Sequence, residues 1–262
     1  MQLCCAWLLS KPFTFLASRF TMAVEQAVMN LHSNTVPPRD PLPGTVKLYG
    51  RHVILCSGQA SWPSHIDEDG GFAQVLAQAV EAAKDRLDTP VKITACDAAS
   101  IGQGMDLLVF PDCVRYLGLS AADIPIFVAD HLVADHVTGN TASLRLQHRP
   151  LGGRHVFVCT HGERDYRCGE CGPSLLAALH SYLAAAGLAD VVHVYRSSHV
   201  GGHAFAGNVL IYPEGDWYGY VTPADVPRLV DRHLAGGEIV WDLWRGRMGL
   251  TPERAAQMTA DH

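Results

Sequence analysis

The residues able to do chemistry in this 262-residue chain gather in two short stretches, CTHGERDYRCGEC from Cys159 to Cys171 and SSHVGGHAFAGN from Ser197 to Asn208. Between them they offer four soft or borderline metal ligands: Cys159, Cys168, His199 and His203. Thiolates combined with imidazoles suit zinc, or an iron–sulfur cluster with histidine on one iron. Gly201 and Gly202, which lie between the two histidines, let the backbone fold tightly around whatever the imidazoles bind. Cys171 turns Cys168-Gly-Glu-Cys171 into a C-x-x-C, which fits a dithiol redox pair or half of a zinc site with His199 and His203. That zinc arrangement leaves Cys159 idle. Arg164, Asp165 and Arg167 lie inside the first stretch, where they serve as hydrogen-bond donors to sulfur, as steering charges for an acidic partner, or as an ordinary loop ion pair. His161 reads either as a support for the ligands or as a solvated loop histidine.

These residues need elements to position them. Cys159 ends an apolar, β-branched run (Val156–Cys159), and Cys168 is expected to close the loop that follows, so that both converge at the strand's carboxyl end. An Ala- and Leu-rich stretch of helical length follows (Ser174–Ala186). Next come a strand (Val191–Tyr195) and two strands around a Pro-acid turn within Val209–Tyr220. A last helix is opened by Thr222, with Asp225 three residues on as in an N-cap. The same punctuation occurs upstream as Val53–Cys56, Phe72–Leu87, Val91–Ala95, Leu107–Tyr116 and a helix from Ser120. Pro111–Leu132 aligns without a gap on Pro213–Leu234 at an offset of 102, with Tyr116/Tyr218, Asp123/Asp225, Pro125/Pro227 and His131/His233 identical. RHVILCS from Arg51 matches RHVFVCT from Arg154 at an offset of 103.

Two anchors at nearly one offset make the chain two copies of about 100 residues each. The order β-α-β then β-β-α is that of a thioredoxin-like fold, so the expected class is α/β with two tandem thioredoxin-like domains, the first degenerate. The expected division is an arm over 1–42, a degenerate domain over 43–148, a ligand-bearing domain over 149–240 and a tail over 241–262 that packs back on the fold. Met22 offers an alternative start within the arm. In the first copy Cys56 takes the place of Cys159, but the place of Cys168 falls at His65, and TACDAASIG has no His-x3-His. Only the second copy is therefore expected to hold metal, and Cys56, Cys96 and Cys113 read as small buried apolar side chains.

With 48% hydrophobic and 18% charged residues the chain is not a disordered one. A net charge of −6 gives no basic field for a nucleic acid. No apolar run reaches the roughly 18 residues of a membrane-spanning helix. Basic residues at Lys11 and Arg19 precede the first acid, Glu25, but no small-x-small cleavage pattern follows. The expected location is cytoplasmic, a compartment that keeps thiolates reduced.

CTHGERDYRC, SSHVGGHAFAGNVLIYP and the closing WRGRMGL resemble the sucrase/ferredoxin-like family, a branch of the thioredoxin-like [2Fe-2S] ferredoxins, and the resemblance runs over about residues 45–250. It implies a [2Fe-2S] cluster with Cys159 and Cys168 on one iron and His199 and His203 on the other. It implies an electron carrier served by a redox partner protein, a reductase or an electron acceptor, more than an enzyme with its own substrate. Glycoside hydrolysis, suggested by the family's name, usually needs two flanking carboxylates, and the shared motifs contain no such pair. Two rivals use the same residues: a zinc-stabilised structural or interaction protein, and a dithiol oxidoreductase working through Cys168 and Cys171. Neutral histidines in place of thiolates lower the cluster's negative charge and raise its potential toward the Rieske range. Each bound imidazole keeps a titratable proton on its other nitrogen, held more tightly once the iron is reduced. The reduction potential is thus expected to fall with rising pH between about 6 and 10, a window bracketing ordinary histidine titration, as followed by protein-film voltammetry; a flat potential there contradicts it.

Overall fold

The two RHV runs form the central strands. β1 (Arg51–Cys56) and β6 (Arg154–Cys159) are buried from their second residue onward, as befits strands covered on both faces. The computed structural model describes residues 39–68, 70–133 and 146–262; most of the expected arm, residues 1–38, lies outside the described residues. The first copy continues with α1 (Phe72–Ala82), β2 (Val91–Cys96), β3 (Met105–Phe110), β4 (Val114–Leu119) and α2 (Ile124–Phe127), which runs on in a wider winding over Val128–Val133. β5 (His148–Pro150) pairs with β4, so the expected boundary at 148/149 falls inside a strand that completes the first copy. The second copy repeats the series as α3 (Tyr166–Ala185), β7 (Val192–Ser197), β8 (Val209–Tyr212), β9 (Asp216–Tyr218) and α4 (Val226–Arg228), continued over Leu229–Ala235. β10 (Trp244–Arg247) and α5 (Pro252–Ala260) close the chain.

In each copy the first strand pairs parallel with the second and antiparallel with the third, and the third pairs antiparallel with the fourth. The two copies thus share one strand pairing pattern. β2 meets β7 antiparallel at Cys96↔Ser197, which joins the copies into one ten-stranded sheet of order β10-β9-β8-β6-β7-β2-β1-β3-β4-β5. Residues Pro41–His262 form one compact unit. Both last helices open with the expected box, Ser120 with Asp123 and Thr222 with Asp225. Each copy also ties a strand tyrosine to a helix histidine: Tyr116 Oη to His131 Nδ1 at 2.9 Å and Tyr218 Oη to His233 Nδ1 at 2.7 Å. The tail does more than lie over the fold, because β10 extends the sheet beside β9.

Strand alternation sorts the core into faces. Val156 and Val158 pack with Leu175 and Leu179 of α3, and Val53 and Leu55 with Leu76 of α1. Ile54, Cys56, Phe157 and Cys159 point the other way, into a core common to both halves with Tyr49, Phe110, Tyr212 and Trp217.

Two helix boundaries correct the sequence expectation. α3 begins at Tyr166, not Ser174, because Asp165 caps it by accepting the Arg167 N–H at 3.1 Å. Cys168 therefore lies in the first helical turn and does not close a loop. A Cβ on Gly172 would stand 2.5 Å from the Cys159 carbonyl oxygen, and one on Gly169 would stand 2.7 Å from Gly162 Cα. The helix approaches the preceding strand so closely that glycine is required, which gave CGECGP the look of a loop. α1 stops at Ala82 and gives way to a tighter turn over Lys84–Arg86, short of the expected Leu87.

Several histidines enter this fold uncharged. His52 is held between Tyr212 Oη (2.6 Å) and Thr94 Oγ1 (2.8 Å), and burial pulls its pKa well below the ordinary value. Burial, with His193 alongside, brings His155 down to about 4. Because the unfolded chain protonates these rings near pH 6.5, their contribution is present above about pH 6.5 and is lost as pH falls toward about 4. The urea midpoint is expected to be higher at about pH 7 than at about pH 5, and His155→Gln should narrow the gap. Equal midpoints at the two pH values contradict this.

Candidate metal centre

Because β6 and β7 run parallel with Cys159 opposite Ser197, the chain leaves both strands at the same end, where α3 also begins. There the ligand atoms of Cys159, Cys168 and His199 all lie within 4.8 Å of one another. Both thiols are buried. His199 Nδ1 is buried and has no hydrogen-bond partner, although buried polar atoms ordinarily have one. Two sulfurs converging with an unpartnered ring nitrogen form a donor set for a soft or borderline metal. His203 opens the next turn with its ring centroid 5.8 Å from that of His199. Its side chain is 52% exposed and stands 3.8 Å from Asp165 Oδ2. The fold thus gathers three of the four expected ligands and sets the fourth at the rim. Cys171, one helical turn past Cys168, lies outside the trio and is half-buried.

A hydrogen bond from Cys168 lowers the Cys159 pKa well below the ordinary thiol value, with help from His199 and the backbone N–H groups of Val200 and His161. The same bond, together with burial, raises Cys168. The two thiols therefore titrate as a pair, with the first proton lost more readily than from an ordinary thiol. Burial also raises Cys171.

His161 is buried, not solvated. Its Nδ1 accepts the backbone N–H of His199 at 2.9 Å, and its Nε2 donates to the Trp62 carbonyl at 2.9 Å. Burial lowers its pKa and favours the neutral ring that this pairing requires. The guanidinium of Arg167 makes a two-point pair with Asp165, both contacts at 2.9 Å, and this pairing brings the Asp165 carboxyl down to about 2. Arg164 turns to His65 of the first copy. The two arginines thus take a carboxylate and an imidazole as partners in place of the sulfur contacts considered for them.

Gly201 and Gly202 adopt φ of 95° and 72°, the left-handed region that favours glycine. A Cβ on Gly202 would come within 2.3 Å of the Arg245 guanidinium. Arg245 Nη1 donates to Asn208 Oδ1 at 2.6 Å, and Asn208 Nδ2 donates to the Gly202 carbonyl at 3.0 Å. The tail motif WRGR therefore braces the histidine loop. Sequence reasoning missed Asn208, Arg245 and Trp62; only Arg245, a cation between apolar residues in a closing motif, carried a visible signal. In the first copy Cys56 and Cys96 stand opposite each other at the ends of β1 and β2, and among the described residues no third ligand joins them. Cys113 is half-buried at a turn, less enclosed than expected.

A family model described as sucrase/ferredoxin-like matches residues 42–246. Curated relatives include "Altered inheritance of mitochondria protein 32" of Meyerozyma guilliermondii, 31% identical over 53% of this chain and 55% of that protein. The protein of the same name from Clavispora lusitaniae is 28% identical over 80% of this chain and 88% of its own length. Among solved structures, a thioredoxin-like [2Fe-2S] ferredoxin from Aquifex aeolicus is 26% identical, with a TM-score of 0.35 over 38% of this chain and 96% of that one.

The closeness of the two thiols gives a direct test. In the metal-free chain, ultraviolet thiolate absorbance should titrate below the ordinary thiol pKa, and Cys168→Ala, which removes the donor, should shift that titration upward. An unshifted titration contradicts the influence of Cys168 on Cys159.

Proposed function

The chain belongs to the sucrase/ferredoxin-like family, and on that footing we propose that it is an electron-transfer protein holding a [2Fe-2S] cluster through Cys159, Cys168, His199 and His203. The observation that carries this reading is the convergence of two buried thiols with an imidazole whose buried nitrogen has no partner. In this reading Cys159 and Cys168 hold one iron, and His199 and His203 hold the other. When bound, the cluster supplies a one-electron couple.

The chain's own residues set the conditions. The Val200 and His161 N–H groups at Cys159 stabilise negative charge on its sulfur. His161, anchored on Trp62, fixes the backbone of His199. Arg245 and Asn208 hold the turn between the histidines. His203, half-exposed at the rim, marks the side from which a redox partner protein takes or delivers the electron. The described cysteines are free thiols, which supports a reducing compartment, the cytoplasm in our reading; the name of the relatives makes mitochondria the alternative that cell fractionation decides. Among the described residues no helix is long and apolar enough to cross a membrane.

The compactness of the Cys159, Cys168 and His199 trio also suits a single zinc ion, the second reading. A dithiol mechanism is less well supported, because Cys171 lies outside the trio. Ligand variants separate the three. Cys171→Ser should retain iron, sulfide and visible absorption, whereas Cys159→Ser should lose them; His199→Cys should keep the iron and lower the potential. Loss of redox function in Cys171→Ser with the metal retained would transfer the chemistry to the dithiol.

A further inference from the structure

Two of the chain's cations, half-buried Lys92 and buried Arg245, lie without a carboxylate. Lys92, on β2, places its ammonium 5.8 Å from the Tyr49 ring centroid and 5.1 Å from that of Trp217. Arg245 is 2% exposed and donates to Thr45 Oγ1 at 2.9 Å, the Thr45 carbonyl at 3.0 Å and Asn208 Oδ1 at 2.6 Å, all neutral acceptors. Among the described residues neither cation has an ion-pair partner. A buried charge is costly unless an opposite charge accompanies it.

Both cations border one cavity of about 420 Å³, to whose wall Lys47, Tyr49, Trp217, Gly201 and Gly202 also contribute and no aspartate or glutamate does. That volume is in the range of small-ligand sites, which pair apolar walls with a few placed polar groups. Burial, with Arg245 and Lys47 nearby, brings the Lys92 ammonium down to about 8, and the Cys159 thiolate is the one negative group opposing this. Cys159 does not line the cavity.

We propose that this cavity binds a small oxyanion, a phosphate or carboxylate group, held by the Lys92 ammonium with Lys47 and Arg245 on either side. Tyr49 and Trp217 supply a flat apolar wall for the rest of the ligand. At Gly202 a side chain would collide with Arg245, so glycine is required at this point of the wall. No metal donor contributes to the site, so it stands apart from the cluster reading. Its occupant would nevertheless touch the turn that carries His199 and His203, giving an anion a route to influence the metal centre.

The test is calorimetric titration of the full chain with inorganic phosphate and, separately, with acetate, using chloride at matched ionic strength as the control. Saturable binding is expected for one of the oxyanions and not for chloride. The preferred oxyanion identifies the ligand group: tighter phosphate assigns a phosphate ester, tighter acetate a carboxylate. Lys92→Gln should weaken binding by about tenfold or more, and Lys92→Arg should largely restore it, since the lost contact is charge-assisted. Iron content measured on the same samples separates this site from the cluster, because binding should not require iron. Absence of saturable binding in the wild-type chain, or unchanged binding in Lys92→Gln, overturns the proposal.

Discussion

The approach of α3 to the end of β6 is the contact on which the rest of the structure depends. Gly172 lies so close to the Cys159 carbonyl that no side chain fits between them, and this places Cys168, in the first turn of the helix, beside Cys159 at the end of the strand. The thiol–thiol hydrogen bond, the depressed Cys159 and the packing of His199 against both sulfurs follow from that closeness. A larger residue at Gly172 would lift the helix and separate the donors, whatever their chemistry.

Among the described residues the first copy has no thiol–imidazole donor set like that of the second, yet it holds a place in the structure. It joins the second copy where the ends of β2 and β7 meet, at Cys96 and Ser197. Its Trp62 carbonyl anchors His161, which in turn holds the backbone of His199, and its His65 receives Arg164. One copy presents the donors and the other fixes their supports. The division of labour runs along a single sheet.

Much of this was legible in the sequence. The gapless match of Pro111–Leu132 to Pro213–Leu234 disclosed both hairpins and both capped last helices, because turn and cap chemistry is local. The candidate donors Cys159, Cys168 and His199 were legible as well, since they follow two adjacent strands and the fold brings them within 4.8 Å of one another. The start of α3 was not, since Gly169, Gly172 and Pro173 are poor helix formers and the glycines are required only by a neighbour in space. Which of its two roles His161 takes was not legible, because its anchor, Trp62, lies 99 residues away. Lys92, a lone lysine in the apolar run VKITAC, drew no notice because only the folded chain brings it beside Arg245 and Trp217.

What Cys159, Cys168, His199 and His203 hold decides whether the chain carries electrons. The most direct measurement is iron, zinc and acid-labile sulfide content of anaerobically purified chain, with an electron paramagnetic resonance spectrum after dithionite reduction. Two irons and two sulfides per chain with a Rieske-like reduced signal are predicted. One zinc and no sulfide would contradict the electron-carrier reading and leave a structural metal site in its place.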